Sequence, residues 1–294
     1  KKNYLAIFAN SFNWEGFFLP KNIYQDCSKL YAFCRVLDDI VDENSDLELR
    51  ISKFNKIKNI LNKIYEIENN DGNKLDENEE EIIVSDMIAL ADNNNIKKII
   101  LDDLIEGVGS DLKQKVHFKS VKDLLVYSYK VAGTVGLMMA KILNVQDTRY
   151  LKGAIDLGIA MQLTNIARDV IEDKKMNRQY IKPDFKNIEA TLKLADMFYE
   201  SSFTSMKNIP FKYRFAIITA RRVYRQIGRK IIKKRNMESY EKSGKIYVNN
   251  FEKIYQTILS VFDLILLYLK DVESHQRLRE HAIISEEVNL DERI

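Results

Sequence analysis

An all-α fold, one helical bundle with a central cavity, is what this chain predicts, and three observations carry the prediction. Breakers are scarce, because the 294 residues include only 3 Pro and 10 Gly, while Ile, Leu, Lys, Asn and Glu dominate. Apolar residues recur at spacings of three and four along most of the length, and no Pro- or Gly-rich linker divides them. Two acidic clusters come from opposite halves of the chain, which places their shared site in the core of one bundle. The expected unit is a single domain spanning 1–294, with a polar tail from about 274.

Pro20 is placed to open a first helix, in which Ile23, Cys27, Leu30, Cys34 and Leu37 form the inner face. A second amphipathic helix fits Leu47 to Ile67, and the polar stretch that follows reads as an exposed loop. Shorter helices fit Glu81 to Leu90 and Ile96 to Val108. Val121 to Leu143 reads as one long apolar helix whose Gly133 and Gly136 allow close approach of another helix or a ligand. The helix expected from Thr148 to about Lys175 carries the second acidic cluster, and three more fit Asn187 to Met206, Lys212 to Arg235 and Val248 to Val272.

Composition excludes several classes. A formal net charge of +3 gives no global case for nucleic-acid binding. Cys27 and Cys34, seven positions apart on one helix, have Cα atoms about 10 Å apart and read as free thiols in a reducing compartment. Three scattered histidines offer no zinc-ligand spacing. Ile258 to Leu269, the most apolar segment, is broken by Asp263 and falls short of the roughly 20 residues of a membrane span. With no secretory signal visible, a cytoplasmic protein is expected.

The acidic clusters carry the chemistry. Asp38 and Asp42 are one helical turn apart with Asp39 beside them, and carboxylates about 6 Å apart repel by roughly 3 kcal/mol at an effective dielectric of 20. A cation offsets that repulsion, and Mg²⁺ suits carboxylates shared with phosphate oxygens. A solvated acidic helix end explains this triplet about equally well until Arg35, one turn earlier, is added as a buried phosphate ligand. In the second cluster Gln162, Asn165, Asp169 and Asp173 line one stripe, with Arg168 and Glu172 on its edge and apolar residues around it. Such a polar stripe faces a cavity rather than bulk water.

SFNWEGFFLP, LYAFCRVLDDIVDE, YSYKVAGTVGLMMAKIL and LGIAMQLTNIARDVIEDKKMNRQYI, in that order and spacing, resemble the blocks of the squalene and phytoene synthase family over roughly Ser11 to Lys253, bacterial phytoene synthases above all. The resemblance implies an isoprenoid-synthase-type bundle that joins two prenyl diphosphates head to head. By that likeness Asp38, Asp42, Asn165, Asp169 and Asp173 hold Mg²⁺ (Mn²⁺ as an alternative), and Arg35 and Arg168 grip phosphate. Ser11 and Phe12 match a flap that closes over a diphosphate, and Gln162 lies along the substrate channel. Tyr31, Tyr127, Val131, Arg178, Tyr180 and Tyr240 complete the expected substrate contacts. Asn10 stands where relatives carry a basic residue, and Lys245 and Lys253 fall where basic residues are expected.

Two geranylgeranyl diphosphates forming phytoene through a cyclopropyl diphosphate, without NADPH, is the first expectation. Val131, Val135, Leu137, Met138, Met139 and Met161 are candidates to line the tunnel, with Phe8, Phe12, Phe17, Phe18 and Phe33 held more loosely. Alternatives stay open: a dehydrosqualene, presqualene diphosphate or squalene synthase using farnesyl diphosphate, and a non-catalytic helical assembly factor of the same fold. The absence of a C-terminal anchor disfavours the eukaryotic squalene type. Eight basic residues between Arg221 and Arg235 read either as a solvated face or as contact with the inner membrane surface, where downstream carotenoid enzymes would be partners.

Overall fold

A computed structural model describes residues 19–67, 79–270, 275 and 278–294. Ser11, Phe12, Phe8, Phe17 and Phe18, Asn10, and most of the polar loop after Ile67, lie outside the described residues. Helix α1 (Lys21–Asp42) starts at Pro20 and buries Ile23, Cys27, Leu30, Phe33, Leu37, Ile40 and Val41, which leaves Tyr31, Arg35, Asp38 and Asp42 on a different face. Helices α2 (Leu47–Ile67), α3 (Glu79–Asn93) and α4 (Lys98–Gly109) pack against it.

The long apolar helix changes pitch part-way along. A capping box of Ser120 and Asp123 opens α5 (Val121–Ser128), a π turn follows at Tyr129–Gly133, and α6 (Thr134–Ile142) resumes the ordinary ladder. Wider π turns are rare and concentrate at functional sites. Here the turn lies against α4 and α7 (Thr148–Arg168). A Cβ at Gly136 would collide with the Ala154 carbonyl, and one at Gly158 with the Ala132 carbonyl, so these glycines permit helix-to-helix contact at backbone distance.

The helix expected to run unbroken to Lys175 is interrupted. Asp169 leaves helical geometry (φ −106°, ψ 15°) before α8 (Val170–Lys175) begins. At this break the Tyr240 hydroxyl donates to the Arg168 carbonyl at 2.6 Å and to that of Ala167 at 3.1 Å, a side-chain insertion of the kind that interrupts helices. After α8, Asn177 adopts φ 58°, and a two-residue parallel bridge pairs β1 (Val116–His117) with β2 (Arg178–Gln179). No strand was expected from the sequence, and this one holds Arg178 in place.

Helices α9 (Phe185–Ser205) and α10 (Phe211–Ile232) pack on α7, α11 (Met237–Lys242) carries Tyr240, and α12 (Asn250–Leu269) lies on α10. The C-terminal stretch is not merely a polar tail. Helices α13 (Arg279–Ser285) and α14 (Leu290–Arg293) bury His281, Ile284, Val288 and Leu290, and Arg293 pairs with buried Asp103. Two histidines do converge here: His275 and His281 each place Nε2 2.7 Å from a different oxygen of buried Asp156, which Ser201 also contacts. Because His281 Nδ1 accepts the Leu278 N–H at 2.9 Å, its Nε2 carries the proton and donates to Asp156. The cluster is a hydrogen-bonded fastening for the C-terminal segment.

Candidate active site

Arg178 joins the two acidic clusters. It is 8 % exposed and donates from Nη1 to Asp42 Oδ1 at 2.7 Å and from Nη2 to the Val41 carbonyl at 3.2 Å. Its charge also reaches Asp173, whose carboxyl it holds down against stronger opposing effects. Behind it is Asp111, a buried carboxylate that no spacing in the sequence singles out. Tyr127 and Tyr180 both donate to Asp111 Oδ2, at 2.6 and 2.8 Å, and their rings stack with centroids 4.9 Å apart. Burial raises the carboxyl pKa of Asp111, while those hydroxyls and Arg178 oppose the rise. A lone Asp before LKQK has no helical partner spacing, so only the tertiary fold reveals it.

Each acidic cluster contains paired and unpaired members. Arg35 Nη2 sits 2.5 Å from Asp39, and the Arg168 fork holds Asp169 at 2.7 and 2.5 Å, with Lys245 Nζ 3.5 Å away. Among the described residues, Asp38 and Asp173 form no ion pair. The Asp38 carboxyl is pushed up to about 7 by desolvation and by Asp42, with Arg35 opposing. Asp173 is likewise pushed up to about 7 by desolvation and by Asp169, with Arg178 opposing. Arg35 is not the buried residue expected; its side chain is 37 % exposed at the mouth of this face.

Along α7, across the break and into α8, Gln162, Asn165, Asp169 and Asp173 are half-buried while Leu163, Thr164, Ile166 and Ala167 are buried, which is the expected polar stripe. Asn165 Oδ1 is buried with no hydrogen-bond partner. Tyr31 on α1 is half-buried, and burial raises its hydroxyl to about 12, with Arg35 opposing and Tyr224 adding to the rise. Tyr224 on α10 also acts on Arg168, so it lies between the two cluster-bearing helices and was missed by the sequence reading. Tyr240 touches the Arg168 carbonyl rather than an open face, a positioning contact.

The apolar candidates separate. Val131, Val135 and Met139 follow one another at four-residue spacing and are half-buried, as is Met161. Leu137, Met138 and Phe33 are fully buried and belong to the core rather than to any tunnel wall. Cys27 and Cys34 are free, and Cys27 Sγ meets Met139 Sδ at 3.1 Å.

The family model described as squalene/phytoene synthase matches residues 8–184, which includes both acidic clusters and Arg178. The chain belongs to the squalene/phytoene synthase family. A 15-cis-phytoene synthase of Paracoccus sp. is 31 % identical over 76 % of this chain and 79 % of its own length. One from Enterobacter agglomerans is 30 % identical over 69 % and 75 %. A crystal structure of a dehydrosqualene synthase with bound ligand superposes with TM-score 0.73 at 26 % identity, covering 89 % of this chain and 94 % of the other. A squalene synthase from Alicyclobacillus acidocaldarius shares the fold, with TM-score 0.65 at 16 % identity over 81 % and 91 %. The protein is therefore an enzyme of the prenyltransferase type, in a family that generally depends on divalent metal.

The residues present suit that requirement. The Asn165 amide oxygen, buried without a hydrogen-bond partner, and the Asp38 and Asp173 carboxyls, whose charged forms burial and neighbouring carboxylates disfavour, are the hard oxygen donors that a divalent cation takes. No helix among the described residues is long and apolar enough to cross a membrane.

Proposed function

We propose that the enzyme condenses two geranylgeranyl diphosphates head to head into phytoene, through a cyclopropyl (prephytoene) diphosphate. One observation carries the reading: Arg178 donates to Asp42 and its charge acts on Asp173, so one guanidinium serves carboxylates from both halves of the chain, and Arg35 and Arg168 hold the neighbouring Asp39 and Asp169. The relatives named 15-cis-phytoene synthase support the twenty-carbon substrate. Asp38, Asp42, Asn165, Asp169 and Asp173 would hold Mg²⁺, or Mn²⁺ in its place, which when bound would supply positive charge to the leaving diphosphate.

The chain's own residues do the rest. Arg168 exchanges Asp169, and Arg35 exchanges Asp39, for phosphate oxygens, since an arginine fork fits either anion. Gln162 and Tyr31 lie along the channel, and Tyr127, Tyr180 and Arg178 hold its wall in register with Asp42. Val131, Val135, Met139 and Met161 keep the prenyl cation away from water. After the first diphosphate leaves, the second substrate's alkene attacks and proton loss closes the cyclopropane. The second diphosphate then leaves, the ring opens with rearrangement, and another proton is lost to form the central double bond. Released pyrophosphate accepts both protons: His117 is exposed on β1, and His275 and His281 are tied to Asp156. No reductant enters, so NADPH is not required.

The structural likeness to a dehydrosqualene synthase favours a second reading, in which two farnesyl diphosphates react by the same route. Either product is a lipid, which fits a cytoplasmic enzyme in peripheral contact with the inner membrane surface, passing its product to downstream carotenoid enzymes. Asp38→Ala and Asp173→Ala test the assignment. Each removes a ligand together with like-charge repulsion, so both variants should fold yet lose at least about 100-fold in turnover. Near-normal turnover by either would refute the metal assignment.

A further inference from the structure

Helix α12 is inverted. Between Phe251 and Leu269 every exposed residue is apolar or aromatic, with Phe251 86 %, Phe262 63 % and Leu269 73 % exposed. Every polar residue over the same span is buried or half-buried: Gln256 and Ser260 are in the interior, Asp263 pairs with Arg222 at 2.7 Å, and Glu252 pairs with Lys230 at 2.6 Å. An ordinary surface helix has the opposite arrangement. The pattern also explains the basic run on α10. Arg221, Arg222, Arg225 and Lys230 are committed to Glu200, Asp263, Asp196 and Glu252, so half of that basic load is already ion-paired with acids of α9 and α12.

Two of the remaining cations border a groove of about 520 Å³ between α10 and α12, lined by Gln226, Arg229, Ile232, Lys233, Tyr255 and Leu259 with Gln256 at its floor. No acidic side chain lines it. Burial lowers the pKa of Arg229, Arg225 and Arg222 add to the fall, and Asp196 and Glu200, which do not line the groove, oppose it. Lys270 is exposed where the apolar stripe ends.

We infer that α12 lies flat in an anionic lipid surface, its apolar stripe inserted among acyl chains while Arg229 and Lys233 hold a lipid phosphate in the adjoining groove. This deepens the lipid-product reading above and rests on it only for its purpose. A stripe of Phe, Tyr, Ile and Leu about 19 residues long, apolar on one side only, suits the interface and not the bilayer interior. A second copy of this chain is the poorer occupant, because a two-fold contact through this face would set its cationic rim against itself.

Flotation with phosphatidylcholine vesicles, with and without phosphatidylglycerol, tests the inference on the full chain. Wild type should float with the anionic vesicles and release at high salt. Phe262→Glu combined with Leu266→Glu should weaken vesicle binding at least tenfold, and Arg229→Gln with Lys233→Gln should abolish the preference for phosphatidylglycerol. Both double variants should keep wild-type turnover of prenyl diphosphate in detergent micelles, since neither touches the acidic clusters. Wild-type binding by the Phe262/Leu266 variant would overturn the inference. So would sedimentation showing a dimer that this variant dissociates while wild type ignores vesicles. If wild type floats as stated but turns over no prenyl diphosphate, the proposed reaction fails and the membrane surface stands.

Discussion

Arg178 Nη1 lies 2.7 Å from Asp42 Oδ1, a contact between residues 136 positions apart that ties the first acidic cluster to the strand following the second. The strand bridge to Val116 fixes Arg178 from behind, and buried Asp111 with its two tyrosines surrounds it.

Replacing Arg178 with Gln therefore removes the bridge and leaves Asp111 without its nearest cation. Turnover should fall about 100-fold, with a stability loss of about 1–3 kcal/mol. Arg178→Lys should recover only part, because an ammonium cannot serve Asp42 and the Val41 carbonyl as a fork does. Steady-state kinetics beside circular dichroism separates the two effects.

Asp38 and Asp173 make the metal-free protein sensitive to pH. Both carboxyls sit near 7, above their ordinary 3.8, so they bind protons more tightly folded than unfolded. The stability they contribute is complete below about pH 4 and is lost as pH rises through about 7. The melting temperature without metal should fall between about pH 4 and pH 7, and Asp173→Asn should flatten that fall by about 2 °C after solvent screening. Mg²⁺ binding should release protons, so affinity measured by calorimetry should rise across the same interval.

The glycines between α6 and α7 should be intolerant. Gly158→Ala pushes a methyl into the Ala132 carbonyl, which is backbone and cannot rotate away. A cost of about 1–3 kcal/mol, read as a lower urea midpoint, is expected, whereas Gly244→Ala should report strain from its left-handed φ of 59° alone.

Tyr240→Phe should test the helix break. Losing a hydroxyl that serves two carbonyls costs about 1 kcal/mol, and Asp169 should relax toward helical geometry. Turnover should drop more than stability does, because Asp169 and Arg168 would both be re-aimed.

Much of this was legible in the sequence because it obeys helical periodicity. The first two helices begin and end at or beside the residues that Pro20 and the apolar spacing indicated, and the polar stripe from Gln162 to Asp173 followed from its three- and four-residue intervals. Periodicity says nothing about groups brought in from elsewhere. Tyr240 reaches the break after α7 from a helix some seventy residues later, and Asp111 and Tyr224 join the site from elements with no motif of their own. The same blindness applied to charge. A run of eight basic residues looks like a surface until the acids of α9 and α12 are seen to face half of them.

The most direct measurement incubates the purified protein with Mg²⁺ and geranylgeranyl diphosphate, without NADPH, and quantifies hydrocarbon and pyrophosphate together, with farnesyl diphosphate in a parallel arm. Phytoene from the twenty-carbon substrate, with two pyrophosphates released per molecule, is the expected result. Turnover confined to farnesyl diphosphate, or no hydrocarbon from either substrate, would contradict it.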